Sequence, residues 1–189
     1  VQLLDEASLE VCEGRFRDLE AQERIDLKVD DYLEITSSKT AALYACAMKL
    51  GALAAGADDA VIDALGTCGD RLGMAVQVRS DVQQLWGDAD SPPSDEVLNK
   101  KKLLPVVYAF EKADVGEKRR MGEVYFKRVL EPEDVAILRK VFDELGAREY
   151  SEGLIAEYRT AAQAAVAIPA ISPDGVAAVS GFVDSLLAV

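Results

Sequence analysis

Histidine is absent from the 189 residues, and that absence excludes more chemistry than any other feature of the chain. Without imidazole there is no Ser-His-Asp or Cys-His centre, and no His-ligated zinc or iron site. Cysteine is scarce: Cys12, Cys46 and Cys68 are far apart and form no CxxC pair, so neither a zinc ribbon nor a thioredoxin-type centre is available. Their plain reading is buried free thiols in a reducing cytoplasm. Positive charge is in deficit, with 21 Lys+Arg against 34 Asp+Glu and a formal net charge of −13. That balance argues against nucleic-acid or anionic-membrane partners. A clean apolar span is missing too, because the most apolar stretch, 40–57, carries Lys49 and is largely alanine. It reads as a tightly packed core helix, so no transmembrane segment is expected. The first residue is Val1, with no initiator Met, basic n-region or signal-like apolar run, and the expectation is a processed, trimmed or partial chain.

What remains is a pattern of helices. Leu3, Leu4, Ala7, Val11 and Gly14 recur at spacings of three and four with acidic residues between them, predicting a first helix to about Glu23. Asp30 or Asp31 reads as an N-cap for 32–37, and a long Ala-rich helix follows Lys39. Asp58 opens a helix that ends near Gly87-Asp88. The segment Gly87 to Ser94 is the strongest break, and Ser94 followed by Asp95-Glu96 opens the next helix. Further helices are predicted early after Pro105 and at 115–130, 132–145 with Gly146 as the stop, and 151–168. A last one starts at Ser172-Pro173 and ends at Leu187. No sustained period-2 alternation or Asn-Gly turn appears, so the fold class is all-α, with 1–189 belonging to one domain.

Gly66, Gly69 and Gly73 lack a preceding strand and a following Gly-Lys-Ser/Thr, so they are no phosphate loop; their spacing fits two helices in close approach. Lys118, Arg119 and Arg120 lack interleaved aromatics and read as a solvated face. More telling are polar residues set into apolar helices: Arg15, Arg17 and Asp18; Lys39-Thr40; Gln77, with Asp81 four residues on and on the same side; and Lys101 before a leucine-proline-valine run. Taken one at a time, each has an ordinary explanation as an exposed cation, a buried amide or a soluble loop.

Together with their neighbours they resemble the C-terminal portion of a trans-isoprenyl diphosphate synthase. The resemblance is carried in order by Gly14-Arg15-Phe16-Arg17-Asp18-Leu19, Tyr32-Leu33-Glu34-Ile35, Ser38-Lys39-Thr40-Ala41, Gly69-Asp70-Arg71-Leu72-Gly73-Met74-Ala75-Val76-Gln77, Gly87-Asp88 and Lys101-Lys102-Leu103-Leu104-Pro105. It covers about 13–111; beyond Ala113 only further helices match. The resemblance implies an isoprenoid synthase-type helical bundle around a central cavity, here without its N-terminal helices. It also implies Mg²⁺ held by two DDxxD motifs, an allylic prenyl diphosphate and possible use of isopentenyl diphosphate, and a homodimer or a heterodimer with a family member in the cytoplasm. By position it makes Lys39, Thr40, Gln77 and Asp81 the catalytic set. Lys39, Thr40, Gln77, Lys101 and Arg15 would bind diphosphate, and Asp81 would be the metal ligand.

The chain departs from the pattern where the second DDxxD motif should stand. It reads Ser80-Asp81-Val82-Gln83-Gln84, so neutral side chains replace the first and last carboxylates. Val76 replaces a phenylalanine, Arg15 a glutamine, and a lysine in the loop before Lys101 is missing. The first DDxxD motif would lie upstream of Val1. Three readings stay open: a chain-elongating prenyltransferase, a class I terpene cyclase-like enzyme, and a non-catalytic regulatory subunit of a prenyl synthase.

Overall fold

The computed structural model describes residues 2–24, 26–87 and 92–188. Among them the fold is all-α. Helices α1 (Gln2–Glu23), α2 (Val29–Thr36), α3 (Ala42–Ala54), α4 (Asp59–Trp86) and α5 (Asp95–Leu98) come first. They are followed by α6 (Leu104–Lys112), α7 (Val115–Tyr125), α8 (Pro132–Glu144), α9 (Ala147–Ala165) and α10 (Pro173–Leu187). A π-helical turn, Ser37–Ala41, runs without interruption between α2 and α3. Such turns insert an extra residue into a helix and re-aim the side chains around it.

α4 is the central strut, packed by α3 and the π turn on one side and by α9 on the other. The glycine spacing predicted a close approach of two helices, and the neighbours here are α3 and the π turn. A Cβ on Gly69 would stand 2.5 Å from the Tyr44 carbonyl oxygen, and one on Gly73 would stand 2.6 Å from the Ala41 Cα. α1 meets the π turn in the same way. A Cβ on Gly14 would collide with the Lys39 backbone nitrogen and lie 2.8 Å from its Cα.

Three apolar clusters fill the remaining space. Cys68, Leu72, Ala162, Val166 and Val183 join α4 to α9 and α10. Tyr32, Ile35, Val78, Leu104 and Val107 join α2, α4 and α6. Leu85, Val106, Met121, Leu138 and Phe142 are among those closing the far end against α7 and α8.

The helix signals held at several ends. Asp58, Ser94 and Ser172 accept hydrogen bonds from the backbone nitrogens of Val61, Val97 and Gly175. Gly146, at φ 71°, separates α8 from α9. Elsewhere the boundaries differ. Lys28 is the N-cap residue of α2, and Asp31 sits three positions on, its carboxylate accepting from the Lys28 nitrogen at 3.1 Å. α7 stops at Tyr125, where Tyr125 and Phe126 turn against Phe110 and the chain bends to bury Leu130. α9 starts at Ala147, four residues before the predicted start, because αL Gly146 permits an immediate restart. Cys46 and Cys68 are buried as expected, but Cys12 is exposed on α1. The predicted Gly87–Ser94 break includes 88–91, which lie outside the described residues, as does the Asp88 of the Gly87-Asp88 motif.

The Gly14 contact sets a test of the packing. Gly14→Ala should lower stability by about 1–3 kcal/mol through overpacking against backbone that cannot yield. Gly51→Ala, where nothing stands within 4 Å, should be neutral or stabilising. Urea unfolding monitored by circular dichroism separates the two.

Candidate functional site

The candidate residues converge where α1, the π turn, α4 and α6 meet. Gly14 lets the backbone of Lys39 lie against α1, and Asp18 stands one turn further along that helix face. The Lys39 Nζ therefore reaches the Asp18 Oδ1 at 2.8 Å, with side-chain exposures of 3% and 14%. The ammonium also lies 5.7 Å from the centroid of the Tyr32 ring, a cation–π contact.

Beside this ion pair runs a chain of hydrogen bonds. Thr40 Oγ1 donates to Gln77 Oε1 at 3.0 Å, and Gln77 Nε2 donates to Asp81 Oδ1 at 3.0 Å. The other carboxylate oxygen, Asp81 Oδ2, accepts from the Tyr32 hydroxyl at 2.5 Å and from the Leu104 backbone nitrogen at 2.8 Å. The four residues assigned to catalysis by resemblance, Lys39, Thr40, Gln77 and Asp81, thus stand in one neighbourhood.

Burial raises the Asp81 carboxyl above the usual carboxylate range, opposed by its hydrogen bonds from Tyr32, Leu104 and Gln77 and by the charge of Lys39. Tyr32 is pushed well above its ordinary value by burial first and by the Asp81 charge second, so it remains a hydroxyl donor.

Lys101 stands apart from this network and pairs with Glu96 at 2.5 Å. Its hydrogen bond is the main reason the Glu96 carboxyl lies below its usual range, with smaller contributions from Gln84 and from the charge of Lys39. The Lys101 loop is pinned by Tyr125, whose hydroxyl donates to the Lys100 carbonyl, and by Gln22, which accepts from the Lys102 nitrogen. Arg15 is not drawn in. It lies exposed on the outer side of α1, and Arg17 is exposed beside it.

The sequence pattern gave no role to Tyr32, Asp18 or Glu96. The available signal for Asp18 was its four-residue spacing from Gly14. Tyr32 and Glu96 carry no spacing signal toward their partners, which lie 49 and five residues away.

The donor set does not fit a magnesium site. Mg²⁺ takes oxygen ligands in near-octahedral geometry, usually with one or two carboxylates. Here Ser80 and Gln84 are neutral, and Gln84 Oε1 accepts from Ser94 Oγ at 3.3 Å. Asp81 is 1% exposed, with both oxygens taken up by three donors. Among the described residues no three His, Cys, Asp or Glu side chains stand close enough to share a metal ion.

The Asp81 shift has a definite sign in a stability measurement. A raised carboxyl pKa means that the folded chain binds more protons than the unfolded chain between the ordinary value and the folded one. Its contribution is therefore largest at the acid end and is lost as pH rises through that window. Relative to Asp81→Asn, which does not titrate, the wild type should lose stability as pH rises from about 4 through the raised carboxyl's titration. Denaturant unfolding of both proteins across that range checks the slope.

Comparison with known proteins places the fold. A geranylgeranyl diphosphate synthase of Mycobacterium tuberculosis is 40% identical over 112 residues, 58% of this chain and 32% of that protein. The solved geranylgeranyl pyrophosphate synthetase of Pyrococcus horikoshii superposes with a TM-score of 0.88 at 27% identity, over 100% of this chain and 57% of that one. The polyprenyl synthase of Caulobacter crescentus, solved with calcium and isoprenyl diphosphate, gives 0.87 at 28% identity, over 100% of this chain and 58% of that one. The chain spans a third to a half of the curated relatives' length. The profile of the polyprenyl synthetase family matches residues 1–145, and the chain belongs to that family.

Proposed function

We propose that this chain forms the diphosphate-facing C-terminal part of a trans-prenyltransferase that condenses an allylic prenyl diphosphate with isopentenyl diphosphate in the cytoplasm. The observation that carries the reading is the buried Lys39 ammonium held beside the Thr40–Gln77–Asp81 hydrogen-bond chain. In the reaction the allylic C–O bond breaks and diphosphate leaves with the electron pair. The isopentenyl double bond attacks the resulting cation, and a proton is lost to the released diphosphate. Charge developing on the leaving oxygens is the quantity that a fixed cation in a water-poor site stabilises best. On this reading Lys39 is the donor for that task; Thr40 gives its single hydroxyl proton to Gln77, which Asp81 holds, and would meet the diphosphate only by exchanging that bond, and Lys101 would supply a second cation from its loop. A divalent ion, Mg²⁺ by resemblance, would need carboxylates from outside the described residues, where it would supply positive charge to the leaving group.

A second reading, a non-catalytic subunit that modulates a catalytic relative, is favoured by the neutral side chains at Ser80 and Gln84.

The partner proposed is a second copy of the chain, meeting it along α1. Leu9, Phe16 and Leu19 are 67%, 62% and 71% exposed, and Cys12 is exposed between them. Their spacing of three, four and three places them on the side of the helix opposite Gly14. The stripe reads the same from either end. In an antiparallel pair Leu9 layers against Leu19 of the second copy and Cys12 against Phe16. Asp5 and Glu23 fall at the solvated ends.

Two measurements test these readings. The chain, joined to the helices that carry the first DDxxD motif, is incubated with geranyl, farnesyl and geranylgeranyl diphosphates, with and without isopentenyl diphosphate. Longer diphosphates are expected, and Lys39→Ala should cut turnover by about 10²–10³-fold. A hydrocarbon or alcohol product would replace elongation by cyclisation, and unchanged substrate throughout would leave the subunit reading.

For the α1 contact, sedimentation should show Phe16→Arg and Leu19→Arg each shifting the chain toward monomer. A monomeric wild type, or a dimer indifferent to both changes, would assign the stripe to another partner.

A further inference from the structure

We propose that Asp81 is a structural anion, capping α6 and positioning Gln77, and that the α4 face from Ser80 to Gln84 takes no divalent cation. This deepens the reading above and rests on its placement of Ser80–Gln84 at the second metal motif.

The argument starts at the N-terminus of α6. Its N-cap residue is Leu103, which has no side-chain oxygen to offer, and Pro105 lacks an N–H. The Leu104 N–H is one of the donors that a helix start leaves without an internal partner, and Leu104 is fully buried. Asp81 of α4 supplies the missing acceptor at 2.8 Å, with its negative charge at the positive end of the helix. The same oxygen takes the Tyr32 hydroxyl from α2, and its partner oxygen takes the amide of Gln77. One carboxylate therefore ties three helices at one point. An oxygen so engaged reaches a metal only by giving up Leu104, Tyr32 or Gln77, each of which would be left with a donor to satisfy.

The flanking positions do not replace it. Ser80 and Gln84 are one turn apart on the same helix face, so they occupy the places from which two carboxylates would converge. Neither carries charge. Gln84 is engaged by Ser94, and Ser80 and Gln84 line an open cleft of about 300 Å³ with Gln83, Pro92 and Arg139. Among the described residues that line this cleft, Arg139 is the charged one, and no carboxylate faces it.

The experiment reads metal binding and folding, with no prenyl substrate, so it is independent of whether the chain turns over. Mn²⁺ titration followed by electron paramagnetic resonance is run on the full chain, on Asp81→Asn and on Ser80→Asp/Gln84→Asp. Wild type and Asp81→Asn should give the same spectrum, and the double variant should gain a bound fraction absent from both. Thermal melting of Asp81→Ala should fall by several degrees. Asp81→Asn should retain most of the wild-type midpoint, since its amide oxygen still accepts from Leu104. A wild-type Mn²⁺ site lost on Asp81→Asn would overturn the proposal, as would an Asp81→Ala protein that melts with the wild type. A double variant that stays silent would overturn the assignment of the missing metal site to Ser80 and Gln84.

Discussion

A lysine ammonium with 3% exposure has to meet a counter-charge, and the arrangement of the first four helices follows from that requirement. Taking a charge out of water costs several kcal/mol unless it is paired and hydrogen-bonded. Lys39 is driven inward by the π turn, which adds a residue to the continuous helical run from Val29 to Ala54 and rotates Lys39 and Thr40 toward α1 and α4. The counter-charge must come from α1, so α1 must lie close. Gly14 allows that, because any side chain there would strike the Lys39 backbone. Gly73 does the same for α4 against Ala41, and the approach of α4 is what brings Gln77 to Thr40. Two glycines, one π turn and one ion pair are thus a single device.

How much of this could be read from the chain depended on whether the signal was local. Glycines at 66, 69 and 73 announced a close helix contact, and the structure places α3 there. Asp58, Ser94 and Ser172 announced helix starts, because an N-cap acts within three residues. Asp31 was misplaced by the same logic. Its carboxylate does serve the start of α2, but from the third helical position back to the Lys28 nitrogen, and local pattern does not distinguish the two. The restart of α9 at Ala147 was hidden because a single αL glycine both ends one helix and permits another to begin at once.

The long-range pairings left no such trace. The spacing of Gln77 and Asp81 was legible, since residues four apart share a helix face, but the Tyr32 that completes the pair sits on another element. Cys12 and Arg15 look equivalent in sequence to residues that turn inward. Only the position of Gly14 fixes which side of α1 faces the core, and with it which residues are left outside. At Arg15 the chain carries an arginine where the family pattern has a glutamine, and the side chain lies on the exposed surface of α1, away from the Lys39 network.

Charge at the site is nearly balanced before any ligand arrives. Lys39 carries Asp18, and Lys101 carries Glu96. The two pairs are not equal in what an anion would have to displace. Lys101 and Glu96 retain 24% and 46% side-chain exposure, so water can take over the carboxylate when a diphosphate takes the lysine. Lys39 and Asp18 are held in a tight, nearly dry geometry where removing one partner leaves the other uncompensated. On the proposed reading an incoming diphosphate would gain Lys101 at little cost. It would gain Lys39 by adding acceptors to an ammonium that keeps Asp18, since an ammonium has three donors and Asp18 engages one. On this account Asp18 fixes the direction in which the remaining N–H bonds point. The π turn, which aims Lys39 at Asp18, is then also what aims it at the ligand.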